Sequence, residues 1–190
     1  MKIRRLLVGA SVWLGIAFSV HAADDVVDVD KFQPPIVSQV VHQSRQYVVD
    51  GARYLGLSSF TANVPSYNNK GNLISSWNPR VGRVGERPTF IVTHGGSGIG
   101  PTNLHDARWL IKTFDANVLV LDSFWSRGRS ENWITWREFG ANMRLMDAIA
   151  AARYVRAQGA DPAKTYLIGG SQGGWTGLRT FTASHQKSSE

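Results

Sequence analysis

Thr165-Tyr166-Leu167-Ile168-Gly169-Gly170-Ser171-Gln172-Gly173-Gly174 decides how this 190-residue chain is read. A short apolar run, 165–168, stops in glycines and passes directly into a segment with helical spacing. A serine with glycines two before and two after it fits a strand-to-helix turn too tight for side chains at those two places. Such a turn strains the serine backbone and lifts its hydroxyl above the strand end. The amide of Gln172 then lies at a helix N-terminus, where a developing negative charge on oxygen is favoured. A glycine-rich turn with a capping serine is the plainer reading of the same residues.

About 75 residues upstream, the apolar run 89–93 ends in His94-Gly95-Gly96-Ser97-Gly98. A serine nucleophile in this kind of turn needs a second amide donor from the loop after an earlier strand, and this loop is placed to supply it. Gly96 and Ser97 are the candidate donors, beside Gln172, and the sequence does not choose between them. The same glycines approach a phosphate-binding pattern, since 95–102 reads G-x-x-x-x-G-x-T. Pro101 stands where that pattern requires lysine, and proline offers neither an ammonium nor an N–H, which argues against nucleotide binding.

Between the two motifs the periodicity alternates. A helix is expected from Asn103, capped with the help of Asp106 and apolar along Leu104, Ala107, Leu110, Ile111 and Phe114, with Asn117 at its end. The run 118–121 reads as a second buried strand. Phe139, Met143, Met146, Ala150 and Tyr154 mark a long helix that Gly159 terminates. Before all of these, 58–64 and 72–77 read as short strands, and 34–55 has spacing that suits a helix. Unalternating apolar strands separated by helices imply an α/β fold, with a mostly parallel sheet covered on both faces.

His94-Gly95-Gly96-Ser97-Gly98, Asp122-Ser123-Phe124-x-x-Arg127-Gly128 and Gly169-Gly170-Ser171-Gln172-Gly173-Gly174 together resemble the dienelactone hydrolase family, within the α/β-hydrolases. The likeness runs over 90–181, roughly half the chain. It implies an α/β-hydrolase fold and an enzyme that cleaves ester or lactone bonds of small molecules through Ser171, with no metal or organic cofactor. It also places 122–127 beside the site. Arg127 and Arg129 then form a grip for an anionic substrate, or Arg127 ties down its own loop. Trp125 and Trp175, like Trp133 and Trp136, either line an acyl pocket or pack the loop against the core.

The order of the remaining residues limits this reading. The triad of this fold runs serine, acid, histidine along the chain. The 19 residues after Ser171 hold one histidine, His185, and one acid, Glu190, in the reverse order. If the last helix continues, His185 lies about 20 Å along its axis from Ser171. The family places acid and histidine after two later strands, so the chain is expected to be the N-terminal portion of a longer hydrolase, C-terminally incomplete and largely inactive alone. The strand 165–168 would then form an apolar sheet edge, open to self-association. A non-catalytic binding module built on the same fold is the alternative.

The expected organisation is a signal peptide over 1–22, an N-terminal extension over 23–57, a partial hydrolase domain over 58–182 and a polar tail over 183–190. The formal net charge is +7, but Lys2, Arg4 and Arg5 contribute from the N-terminus, and the other basic residues do not alternate with aromatics as single-strand binders require. Nucleic acid is not expected as a partner. With no cysteine, disulfides and thiolate chemistry are excluded. The positive start, the apolar run 6–20 and Val20-His21-Ala22 have the form of a secretory signal. Export to the periplasm or beyond is expected, with no membrane span after cleavage. Mass spectrometry of exported protein should find a mature N-terminus at Ala23; soluble protein retaining Met1 would contradict cleavage after Ala22.

Overall fold

A computed structural model describes residues 43–67, 71–128 and 141–186. The proposed signal peptide, most of the N-terminal extension, and Arg129, Trp133 and Trp136 lie outside the described residues.

Helix α1, Gln43–Tyr54, precedes two strands, β1 (Ala62–Pro65) and β2 (Asn72–Asn78). Then follow β3 (Thr89–Thr93), α2 (Pro101–Phe114), β4 (Asn117–Leu121), α3 (Ala141–Ala157), β5 (Thr165–Gly169) and α4 (Gln172–Gln186). The strands form one sheet in the order β1-β2-β4-β3-β5. β3 pairs parallel with both β4 and β5, as the buried apolar runs imply. β1 with β2 and β2 with β4 run antiparallel, so the sheet is mixed, its parallel part lying next to the motifs.

Alternation along the strands sends side chains to opposite faces. Phe90, Val92, Val118 and Val120 pack with α1 and α2 through Val48, Ala52, Leu104, Ala107 and Leu110. Ile91, Leu119, Leu121 and Leu167 face the other way, onto Ala148, Ala151 and Val155 of α3. Both faces of the central strands are therefore covered, and β3 and β4 are buried along their whole length.

Three helix boundaries differ from expectation. α2 starts at Pro101, with Gly100 as its N-cap, and Asn103 at the third position reaches back to accept from the Gly100 N–H at 3.1 Å. Proline suits the first helical position because its missing N–H has no intrahelical partner there. The helix closes at Asp115, left-handed with φ 49°, and not at Asn117. Asn117 instead opens β4, with its amide buried. It donates to the Val84 carbonyl at 2.9 Å and to the Thr89 hydroxyl at 3.0 Å, and accepts from the Arg80 N–H at 2.7 Å. A polar residue read as a helix terminator is thus the anchor of the connection between β2 and β3. α4 runs on to Gln186, past the point where the sequence turns polar.

Candidate active site

β5 ends at Gly169 and α4 begins at Gln172, so the chain reverses through Gly170 and Ser171. Ser171 has φ 52°, the left-handed region that costs a non-glycine residue about 1–3 kcal/mol. The Gly173 N–H donates to the Gly170 carbonyl at 2.9 Å and the Trp175 N–H to the Ser171 carbonyl at 3.2 Å, which closes the turn and starts the helix. A Cβ on Gly169 would stand 2.2 Å from Thr93 Oγ1, and one on Gly173 would stand 2.5 Å from the Thr93 carbonyl oxygen. Both glycines are sterically required by the end of β3. The Thr93 hydroxyl lies 3.0 Å from the Ile168 carbonyl and 3.3 Å from that of Gly173, joining β3 to the turn. Ser171 itself is exposed.

The loop after β3 lies against this turn. A Cβ on Gly95 would sit 3.6 Å from Ser171 Cβ and 4.0 Å from its Oγ. One on Gly96 would sit 3.6 Å from Gln172 Oε1. Gly95 and Gly98 bridge across the loop, which leaves Ser97 at its exposed tip. Ser171, Gly96 and Gln172 are therefore brought together, with Gly95 the loop residue nearest the serine Oγ by these contacts.

Asp122 organises the neighbouring loop. Its carboxylate accepts from the backbone N–H groups of Phe124, Trp125 and Ser126 at 2.8, 3.0 and 3.2 Å, and from the Ser126 hydroxyl at 3.3 Å. Burial pushes its pKa up, and those backbone amides oppose the shift. Arg127 is buried, donates to the Ser123 carbonyl at 2.6 Å and pairs bidentately with Asp147 of α3 at 2.9 and 2.8 Å. It ties its own loop, as one of its two readings held. Trp125 is 2% exposed and packs edge-on against Phe60 at 5.3 Å, inside the core. Trp175, 58% exposed in the first turn of α4, remains open to a ligand.

The sequence reading missed Arg144 and Asp147, buried polar residues one turn apart on α3. Arg144 Nη1 donates to Gln172 Oε1 at 3.0 Å and to the Gly95 carbonyl at 3.3 Å, and Nη2 donates to the His94 carbonyl. The available signal was two charged residues set among Met143, Leu145, Met146 and Ala148.

His94 is unsuited to act as a base. Its Nδ1 lies 2.8 Å from the Gly95 carbonyl, and its Nε2 accepts from the Ser123 N–H at 3.1 Å. The ring is therefore neutral, protonated on Nδ1, with its lone pair engaged. Burial, foremost, and the Arg144 charge hold its pKa well below the usual value. His105 is exposed on α2, and His185 lies in the last turn of α4, about 20 Å along the axis from Ser171. Among the described residues no hydrogen bond joins the Ser171 hydroxyl to a histidine, and no group of three or more His, Asp or Glu residues is placed to hold a metal.

A buried neutral histidine makes stability depend on pH. Below 6.5 the unfolded chain binds a proton that folded His94 refuses, so stability falls with acidification until the pH reaches the folded pKa. The slope approaches about 1.4 kcal/mol per pH unit for one proton. Urea melts from pH 7.5 to 5 should show this loss, and a folded His94→Gln variant should lack that share of it. Equal slopes in the two proteins would contradict a neutral buried ring.

No protein-family model matches the chain, and no curated protein matches it in sequence. Among solved structures it is similar to a dienelactone hydrolase from Klebsiella pneumoniae subsp. pneumoniae MGH 78578, at 15% identity and TM-score 0.46, covering 60% of this chain and 48% of that one. It is also similar to an esterase from Pyrobaculum calidifontis in two structures. The monoclinic form gives 18% identity and TM-score 0.49 over 77% of this chain and 47% of that one. The other gives 17% and 0.49 over 85% and 50%. The chain thus spans about half the length of each. By its strand order, its glycine-dependent turn after β5 and the loop after β3, the chain has an α/β-hydrolase fold.

Proposed function

We propose that this chain carries the nucleophile of a serine hydrolase acting on small-molecule esters or lactones. The observation that carries the reading is Ser171: exposed, left-handed, held between two obligatory glycines and facing the Gly95–Gly96 loop. Its Oγ would attack the carbonyl carbon, and the carbonyl oxygen would gain negative charge beside the amides of Gln172 and of Gly96 or Ser97. Trp175, exposed in the first turn of α4, would flank the approach. The acid and histidine that would draw off the serine proton are assigned to positions outside the described residues. An exported enzyme is in keeping with the N-terminal signal pattern.

On this reading the 190-residue chain alone turns over esters only slowly. Among the described residues no imidazole reaches Ser171, so its hydroxyl stays protonated at neutral pH, and a triad lacking one member leaves about 10³–10⁴-fold catalysis over water. p-Nitrophenyl acetate should be cleaved at a trace rate that Ser171→Ala removes, and a fluorophosphonate should label Ser171 slowly. Turnover at full hydrolase rates, abolished by His185→Ala, would overturn the assignment of the base. No labelling and no effect of Ser171→Ala would favour a binding module.

We also infer that the chain associates through β5. Among the described strands only β3 pairs with it, and Tyr166 and Ile168 are half-buried there. Apolar strand edges without charge or proline template further pairing. Sedimentation should show association, and a monomer with slow amide exchange across 165–168 would exclude it.

A further inference from the structure

Arg144 is among the largest fully buried side chains, yet its hydrogen bonds go to two backbone carbonyls and one amide oxygen. These acceptors lie on two separate stretches: His94 and Gly95, consecutive residues directly after β3, and Gln172, directly after the nucleophile. We propose that Arg144 is a positioning residue for the oxyanion hole, locking the loop after β3 and the turn after β5 into one arrangement and selecting Gly95 and Gly96 as the loop's amide donors. The inference rests on the serine hydrolase reading for its catalytic consequence.

The direction of the amides follows from peptide geometry. In a planar trans peptide the C=O and the next N–H point opposite ways. The His94 and Gly95 carbonyls turn inward to the buried guanidinium, so the Gly95 and Gly96 N–H groups turn outward, the side on which Ser171 is exposed. The contacts of Gly95 with Ser171 and of Gly96 with Gln172 put these two residues, and not the tip residue Ser97, beside the serine. A charged donor on each carbonyl also polarises its peptide and strengthens the N–H on the far side.

Only arginine suits the task. Its rigid planar fork can reach several acceptors at once, whereas lysine offers a point charge on a flexible stem. The charge persists: burial lowers the pKa to about 10, and Asp147 and Asp122 support the protonated form. A cation buried against carbonyls is a costly way to fill space. Its value lies in fixing where those carbonyls point.

The test uses the full chain with p-nitrophenyl acetate and amide exchange measured by mass spectrometry. Arg144→Met should lower kcat about 10²-fold with KM nearly unchanged, the scale of losing one oxyanion donor. Exchange should accelerate in peptides covering 94–98 and stay slow across β4. Gln172→Ala keeps the Gln172 backbone amide but releases one tie, and should lower kcat several-fold; it decides the matter if Arg144→Met exchanges globally and so has not folded. Unchanged kcat and unchanged exchange at 94–98 in a folded Arg144→Met chain, or no effect of Gln172→Ala where that chain is unfolded, would overturn the proposal. If Ser171→Ala shows that the parent does not react at Ser171, the hydrolase reading falls. The exchange data then still decide whether Arg144 positions the loop.

Discussion

The structure depends on the absence of any room between the end of β3 and the turn after β5. Thr93 occupies, with its hydroxyl and carbonyl, the space that side chains at 169 and 173 would need. That closeness requires the two strands to end level, and they do, with Thr93 opposite Gly169 in the parallel register. The register is held from inside the sheet. Val92 and Ile168 face one core and Ile91 and Leu167 the other, so a slip by one residue would turn each apolar side chain toward the wrong layer. Ordinary hydrophobic alternation thereby delivers the loop after β3 and the exposed serine to the same place.

Around that place the interior is unusually ionic. Arg127, Arg144, Asp122, Asp147 and His94 are all buried within two loops and one helix. The solution is a division of labour. Arg127 meets Asp147 as a bidentate pair, Asp122 is consumed by three backbone N–H groups, and His94 stays uncharged. Since Arg144 and Asp147 sit one helical turn apart, α3 reaches both loops with a single rigid surface. The segment 122–127 thus shapes the site through what it supports and offers no free arginine to a substrate.

Much of this was legible in the sequence because it rests on local geometry. Gly169, Ser171 and Gly173 announce the turn, and the uninterrupted apolar runs announce β3, β4 and β5. What escaped depends on partners distant in the chain. Arg144 and Asp147 look like the polar side of an amphipathic helix until the loops they meet are known. Asn117, beside a helix end, has the form of a terminator, and only the fold shows its amide spanning three segments. The antiparallel run of β1 and β2 was likewise invisible, because strand direction is decided by what lies between strands and not by their composition. For Arg127 both readings were available, and the decision came from Asp147, twenty residues away.

On the proposed reading of Ser171, its left-handed backbone also limits which nucleophiles could be interchanged there. A residue branched at Cβ is an outlier at φ 52°, so threonine would carry its hydroxyl at the expense of the turn. Cysteine, unbranched like serine, presents its sulfur on the same carbon and asks nothing new of the backbone. Glycine and asparagine would relax the strain and abolish the chemistry. The repertoire open to this position is therefore a hydroxyl, a thiol or a carboxylate carried on a single methylene, set by the backbone before any substrate is considered.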